Sequence, residues 1–328
     1  MKVTLMKKQA LTAAAVLLLV SCGTFSSTST SSSTTSRSVI PERSVAPESF
    51  EAPIEEVAFP GPPPWAPLEG SVTEDRSGGS VDWSSNVVRA SGTGVVDPSN
   101  PNTAQARLMA ERAAVTVARR NLLEIIQGVR VDSETRVENF MTDYDVIYTR
   151  VQGMVRNARQ TGPARYDSEA GTVEVELSME IYGAGGLSGA LVPAMTGPET
   201  FRDSLSPQVR DFLQQYSGLV IDGGSTGLTP SMFPKIFDQE GNLLLDTGKY
   251  AQYLGSETGM ILRFISDLEG ILQDYQGAGA PLVLRAVQAA GSFGSDIVVS
   301  AEDIGGGLLK QALPYLLSAG RFLLRVIL

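Results

Sequence analysis

The clearest hydrophobic rhythm in the chain lies at residues 171–182. Val173, Val175, Leu177, Met179 and Ile181 alternate with Glu174, Glu176, Ser178 and Glu180. A period of two places one set on each face of a strand, one face buried and the other wet or meeting a partner. Residues 86–96 form a second alternating, Val-rich strand. It contains Gly92 and Gly94, where a bulge or a close backbone approach is expected. Asp97-Pro98-Ser99-Asn100-Pro101-Asn102 stops that strand and caps a helix over 103–127, with Gly128 as its C-cap. Leu108, Val115, Ala118, Leu122 and Ile125 recur at helical spacing and form the expected core stripe. Arg107, Glu111, Arg112, Arg119 and Arg120 fill the remaining surface, which reads as solvated. The pattern then predicts a strand at 129–137, a short helix at 139–151, a strand at 154–160 and a turn at Gly162-Pro163. The resulting β-α-β-(α)-β-β order is a sheet with a helix packed on one face, in the α+β class.

Residues 183–198 are rich in Gly, Ala and Pro and read as a linker. Beyond them the pattern predicts a short helix at 206–216 and a strand at 218–222. A hairpin follows at 233–237 and 243–245, turning through Asp238-Gln239-Glu240-Gly241-Asn242. Ile261, Leu262, Ile265, Leu268, Ile271 and Leu272 predict a helix over 259–275. Strands follow at 282–287 and 296–300. A further helix carries Leu308, Leu309, Ala312 and Leu316. Ser300 and Asp303 can form its capping box, and Pro314 is expected to kink or end it. A strand over 321–328 closes the chain. Lys310, Arg321 and Arg325 interrupt this apolar end, so it is no membrane span.

Ahead of these elements, Lys2, Lys7 and Lys8 precede an apolar run at 10–20, the form of an export signal. Leu19-Val20-Ser21-Cys22 resembles the processing box of bacterial lipoproteins. That resemblance implies acylation of the Cys22 thiol and a mature N-terminus at Cys22. Several acyl chains on one residue would hold the protein stably on a membrane. Gly23 stands where an Asp would mark inner-membrane retention, which implies the outer membrane and a periplasm-facing body. Residues 24–38 are almost entirely Ser and Thr, and 41–67 carry eight prolines. Such a segment cannot bury a core and reads as a disordered tether. Fully extended at about 3.1 Å per residue, it reaches on the order of 190 Å. Pro62-Pro63-Pro64-Trp65 reads as a stiff spacer rather than a docking peptide. The expected organisation is a signal at 1–21, a tether at 22–80, one α+β domain at 81–183, a linker at 184–205 and a second α+β domain at 206–328.

Composition removes several chemistries. The 328 residues include no histidine and one cysteine. A Ser-His-Asp or Cys-His site is therefore excluded, as are a His-ligated metal and an intrachain disulfide. The formal net charge is −10; without residues 1–21 it becomes −13, from 23 basic and 36 acidic side chains. A chain this acidic is unsuited to nonspecific nucleic-acid binding.

The remaining motifs reduce to local structure. Gly223-Gly224-Ser225-Thr226-Gly227 has the form of a hydrolase elbow, but there is no histidine to activate Ser225. Val220-Ile221-Asp222-Gly223-Gly224-Ser225-Thr226 is similar to a phosphate loop of actin-fold sugar kinases, but the rest of that fold's motifs are missing. Asp238, Glu240 and Asn242 mimic the start of a calcium loop without its later bidentate Glu. Gly183-Ala184-Gly185-Gly186 opens no strand-turn-helix unit for a dinucleotide. Glu174, Glu176 and Glu180 share one strand face without a second set of ligands for a cation. The expected site list is lipid attachment at Cys22, with no catalytic, metal-binding or cofactor-binding residue and no cofactor.

Ser91-Gly92-Thr93-Gly94, the helix ending Arg119-Arg120-Asn121-Leu122-Leu123-Glu124, and Gly128-Val129-Arg130-Val131 together resemble the LPP-twenty family of bacterial outer-membrane lipoproteins. Gly153-Met154-Val155-Arg156 and Val173-Glu174-Val175-Glu176-Leu177 resemble that family's closing strands. FlgP-type flagellar basal-disk lipoproteins share this domain. The stretches at 218–222, 234–238 and 296–300 are similar to the C-terminal region of larger LPP-twenty-like proteins. The resemblance implies a non-enzymatic structural role in the envelope, some members of the family assembling around the flagellar motor. Its implied partners are the membrane through the N-terminal lipid, further copies of the chain and other envelope proteins. The alternative function is a binding module that docks a ligand or partner to an envelope machine.

Overall fold

The computed structural model describes residues 71–195, 197, 205–216, 218–255, 262–266, 281–300, 307–318 and 322–325. These belong to one compact unit spanning Phe59–Leu328. The signal, Cys22, Trp65 and the tether as far as residue 70 lie outside the described residues, as does the Asp303 member of the expected capping box. The fold is α+β, built on two sheets.

The first sheet is antiparallel throughout. Its strands are β1 (Thr73–Arg76), β2 (Gly79–Asp82), β3 (Val87–Val95), β4 (Arg159–Gln160), β5 (Arg165–Asp167) and β6 (Thr172–Glu180). The order is β1-β2-β3-β6-β4, with β5 also paired to β6. β1 and the start of β2 lie within residues assigned from sequence to the tether, so strand structure is present before the expected domain start at residue 81. Helix α1 (Thr103–Gln127) packs along β3 and β6. Asn102 caps it, its side chain accepting from the Gln105 amide at 3.0 Å.

The core row of α1 differs from the expected stripe. Ala106, Ala110, Ala114, Ala118, Leu122 and Ile126 face the sheet at four-residue spacing, whereas Leu108 is 59% exposed. The cause lies in β3. A Cβ on Gly92 would sit 2.2 Å from the Ala114 carbonyl oxygen, and one on Gly94 would sit 1.9 Å from that of Ala110. Helix and strand backbones thus touch through Gly and Ala, and the register from Val87 to Val95 runs without a bulge. Larger side chains on that row would hold the two backbones apart.

Residues 129–137 are not a strand. Val129 and Val131 are buried, but the segment closes on itself: the Val131 amide donates to the Thr135 carbonyl and the Val137 amide to that of Val129. Two helices follow, α2 (Val137–Asp143) and α3 (Asp145–Arg156), separated by the extended backbone of Tyr144. Ile147, Val151 and Val155 form a buried row that carries α3 into residues read as a strand, which leaves only β4 extended. The expected linker also has structure. α4 (Leu187–Leu191) and a 3-10 turn (Val192–Ala194) follow β6, and Leu187, Ala190 and Leu191 are fully buried.

The second sheet is mixed. It contains β7 (Leu219–Asp222), β8 (Lys235–Phe237), β9 (Leu243–Asp246), β10 (Leu262–Ile265), β11 (Leu282–Ala290), β12 (Asp296–Val299) and β13 (Phe322–Arg325), in the order β10-β13-β7-β11-β12-β8-β9. β10, β13, β7 and β11 are mutually parallel. β11 changes partner along its length, pairing through Arg285 with β7 and from Ala286 with β12, where the register shifts between Ala286 and Gln288. The expected hairpin is present as β8 and β9. β10 replaces the described part of the helix expected at 259–275: Leu262, Phe264 and Ile265 are buried and Arg263 is exposed, inside an apolar run that pairs with β13. The rest of that segment lies outside the described residues. α5 (Pro207–Gln214), capped by Ser206, packs against α6 (Gly307–Ser318), which in turn lies on β7 and β9. α6 continues through Pro314 rather than ending there, held by buried Leu309, Leu313, Leu316 and Leu317.

Candidate interaction surface

The two sheets are joined by backbone as well as by side chains. Trp83 is buried edge-on against Phe264, with ring centroids 5.7 Å apart. Around this pair the Ser84 hydroxyl donates to the Phe264 carbonyl at 2.7 Å, and Asn86 Nδ2 donates to the Leu262 carbonyl at 2.9 Å. The loop at 128–136 forms a second join. Its Arg130 and Val131 carbonyls accept from the Met232 and Phe233 amides at 3.0 and 2.8 Å. This explains why a Val-rich segment is not a strand: its carbonyls serve the second half. Arg130 Nε donates to the Pro230 carbonyl at 2.7 Å, while its terminal nitrogen pairs with Glu74. Burial pulls the Arg130 guanidinium below its usual value, and Glu74 opposes that shift. Buried Asp296 accepts from the Ser133 hydroxyl at 2.6 Å and the Lys235 amide at 3.0 Å. The Tyr182 hydroxyl donates to the Met232 carbonyl at 2.7 Å, and burial pushes its pKa well up. Sequence reasoning missed these residues, since each is ordinary in its local context and acquires its role from a partner distant in the chain.

The candidate chemical motifs are occupied by turn structure. Asp222 Oδ1 accepts from the Gly224 amide, and the Thr226 hydroxyl and amide both donate to the Gly223 carbonyl. Ser225 is exposed at the tip of that turn. Asp238 accepts from the Asn242 amide and side chain at 2.6 and 2.9 Å, which holds its carboxyl below the usual range. Among the described residues no three His, Cys, Asp or Glu side chains are grouped to hold a metal ion, and no helix is long and apolar enough to cross a membrane.

Two broad surfaces remain, on opposite sides of the first half. On α1 the row farthest from the sheet is Leu108, Arg112, Thr116, Arg120 and Glu124, all exposed. Exposed Arg107 and Arg119 flank it, with Arg107 stacked 4.0 Å over the Tyr166 ring. Arg112, Arg119 and Arg120 form no ion pair among the described residues. Met109 on the other flank is 58% exposed.

The opposite surface is the outward face of the sheet. Register places Glu174 opposite Thr93, Glu176 opposite Ser91, and Glu180 opposite Val87. The expected alternation of β6 holds, with the Val173–Ile181 set buried and the glutamates outward. Two arginines on this face are committed locally, Arg165 to Glu174 at 2.8 Å and Arg89 to Asp82 at 3.0 Å. Glu176 accepts from the Thr161 hydroxyl at 2.7 Å, and partial burial raises its pKa. Asp75 and Glu180 are exposed, and Val95 is 73% exposed. At the edge of this face a groove of about 520 Å³ separates α3 from the ends of β3 and β6, lined by Arg150, Met154, Arg159, Met179 and Glu180 among others.

The class defined by this architecture is a two-sheet α+β body. Residues 218–321 match the family model described as Treponema pallidum Tp0624, second domain. That match covers β7 to β12 and α6, the greater part of the second half. No curated protein matches the chain.

Proposed function

We propose that the protein is a non-enzymatic outer-membrane lipoprotein, anchored through Cys22, whose periplasm-facing body is a structural and assembly component of the cell envelope. The observation that carries this reading is the disposition of the charged side chains. Buried Asp296 and Asp82 and half-buried Arg130 tie the protein's own backbone and elements together, while α1 and the sheet present broad exposed faces on opposite sides. The resemblance to LPP-twenty lipoproteins, with their envelope and flagellar roles, supports the same reading. The α3 groove favours a second one, a binding module that docks an envelope partner.

The test is the native mass of the mature, lipidated chain extracted in mild detergent, alongside Cys22→Ala. The scaffold reading expects a multiple of the protomer mass for the extracted chain and loss of membrane association for Cys22→Ala. A lone protomer at every concentration refutes assembly and leaves the binding module. Membrane retention of Cys22→Ala refutes the anchor.

A further inference from the structure

The two exposed faces of the first half are complementary in charge, in length and in direction. The α1 face concentrates four arginines against Glu111 and Glu124, in a chain whose net charge is −10, and three of the arginines lack an ion pair among the described residues. The outward sheet face is acidic on balance: Glu176, Glu180 and Asp75 remain against the exposed Arg159 after Arg89 and Arg165 have paired locally. Each face also carries large exposed apolar side chains, Leu108 and Met109 on the helix and Val95 on the sheet.

The dimensions agree. A 25-residue helix is about 37 Å long, and the nine-residue strands β3 and β6 span about 30 Å. α1 already covers one face of this sheet, so its outermost row points directly away from the outward face. A contact between the α1 face of one copy and the sheet face of the next is therefore heterologous. It repeats in one direction and gives a ring where the rotation closes, or a filament where it does not.

We infer that the α1 arginine face docks onto the outward Glu174–Glu180 face of a second copy of this chain, and that this contact builds the assembly. The inference rests on the scaffold reading and names its contact surfaces. A second copy is favoured over an anionic lipid surface because the chain itself carries the acidic face, matched in length and on the opposite side of the same layer. The contact is electrostatic, so salt weakens it.

The experiment uses two full-length variants, Arg112→Glu/Arg120→Glu and Glu174→Lys/Glu180→Lys, with circular dichroism to show that each folds. Sedimentation velocity gives their masses. Each variant alone should dissociate, with at least a tenfold loss of self-affinity. Mixing the two should restore assembly, because every contact then pairs opposite charges. The chain carrying all four changes should likewise assemble alone. Wild-type protein that assembles and variants that assemble equally well overturn this contact while leaving the scaffold reading standing. Wild-type protein that is monomeric throughout overturns both. Variants that lose binding to phosphatidylglycerol vesicles but keep their self-association point to lipid as the occupant of the α1 face and also overturn the inference.

Discussion

The two halves use their sheets differently. In the second, β7 lies among parallel neighbours, and Leu219, Val220 and Ile221 are all fully buried, so the strand is covered on both faces. In the first, the strands are antiparallel, one face is sealed by α1, and the other keeps its glutamates half-buried or exposed. Parallel strands are normally covered on both sides, whereas antiparallel ones can leave one side to water. The contrast holds between β7, closed on both faces, and β6, which keeps one face open; β11 beside β7 also leaves Val283 44% and Val287 43% exposed.

Breaking the join between the halves should have the largest effect. Trp83→Ala removes the ring that packs on Phe264 and should cost about 4 kcal/mol, with both halves losing stability in urea unfolding followed by circular dichroism. Gly94→Ala attacks only the first half. Its Cβ meets the Ala110 carbonyl, so α1 must lift from β3, at a cost of about 3 kcal/mol by the same measurement. Arg130→Met leaves the Pro230 carbonyl without its donor and removes one of three side-chain partners of Glu74, which keeps Arg76 and Trp83. The site retains some solvent contact, so the expected loss is about 2 kcal/mol, below that for a fully buried pair.

The smallest effect belongs to the outward face and has the opposite sign. Burial raises the pKa of Glu176, so the folded state holds its proton more tightly than the unfolded state does. Stability from this group is present below the ordinary value of 4.5 and is lost as pH rises through the raised one. Glu176→Gln should therefore raise the melting temperature slightly at pH 7 and give no gain below pH 4.5. A gain that persists in acid would show that ionisation of Glu176 is not its cause.

Local patterning made much of this legible. β6 and α1 are where their periodicity places them, and Asn102 caps α1 as the Asp97–Asn102 stretch suggests. The misreadings share a physical origin. The buried row of α1 is its smallest, because Gly92 and Gly94 admit the helix backbone; the alanines at 106, 110, 114 and 118 were the signal. Residues 129–137 and 262–265 take their conformations from pairing with distant segments, and nothing within nine residues discloses such a partner. The outward arginine and glutamate faces were visible in sequence as solvated positions. Their placement on opposite sides of one layer required the fold.

Sedimentation velocity of the full chain, across protein concentration at low and high salt, tests the central claim most directly. The account predicts concentration-dependent multimers at low salt that dissociate as salt rises. A single protomer peak under every condition, or multimers indifferent to salt, would contradict it.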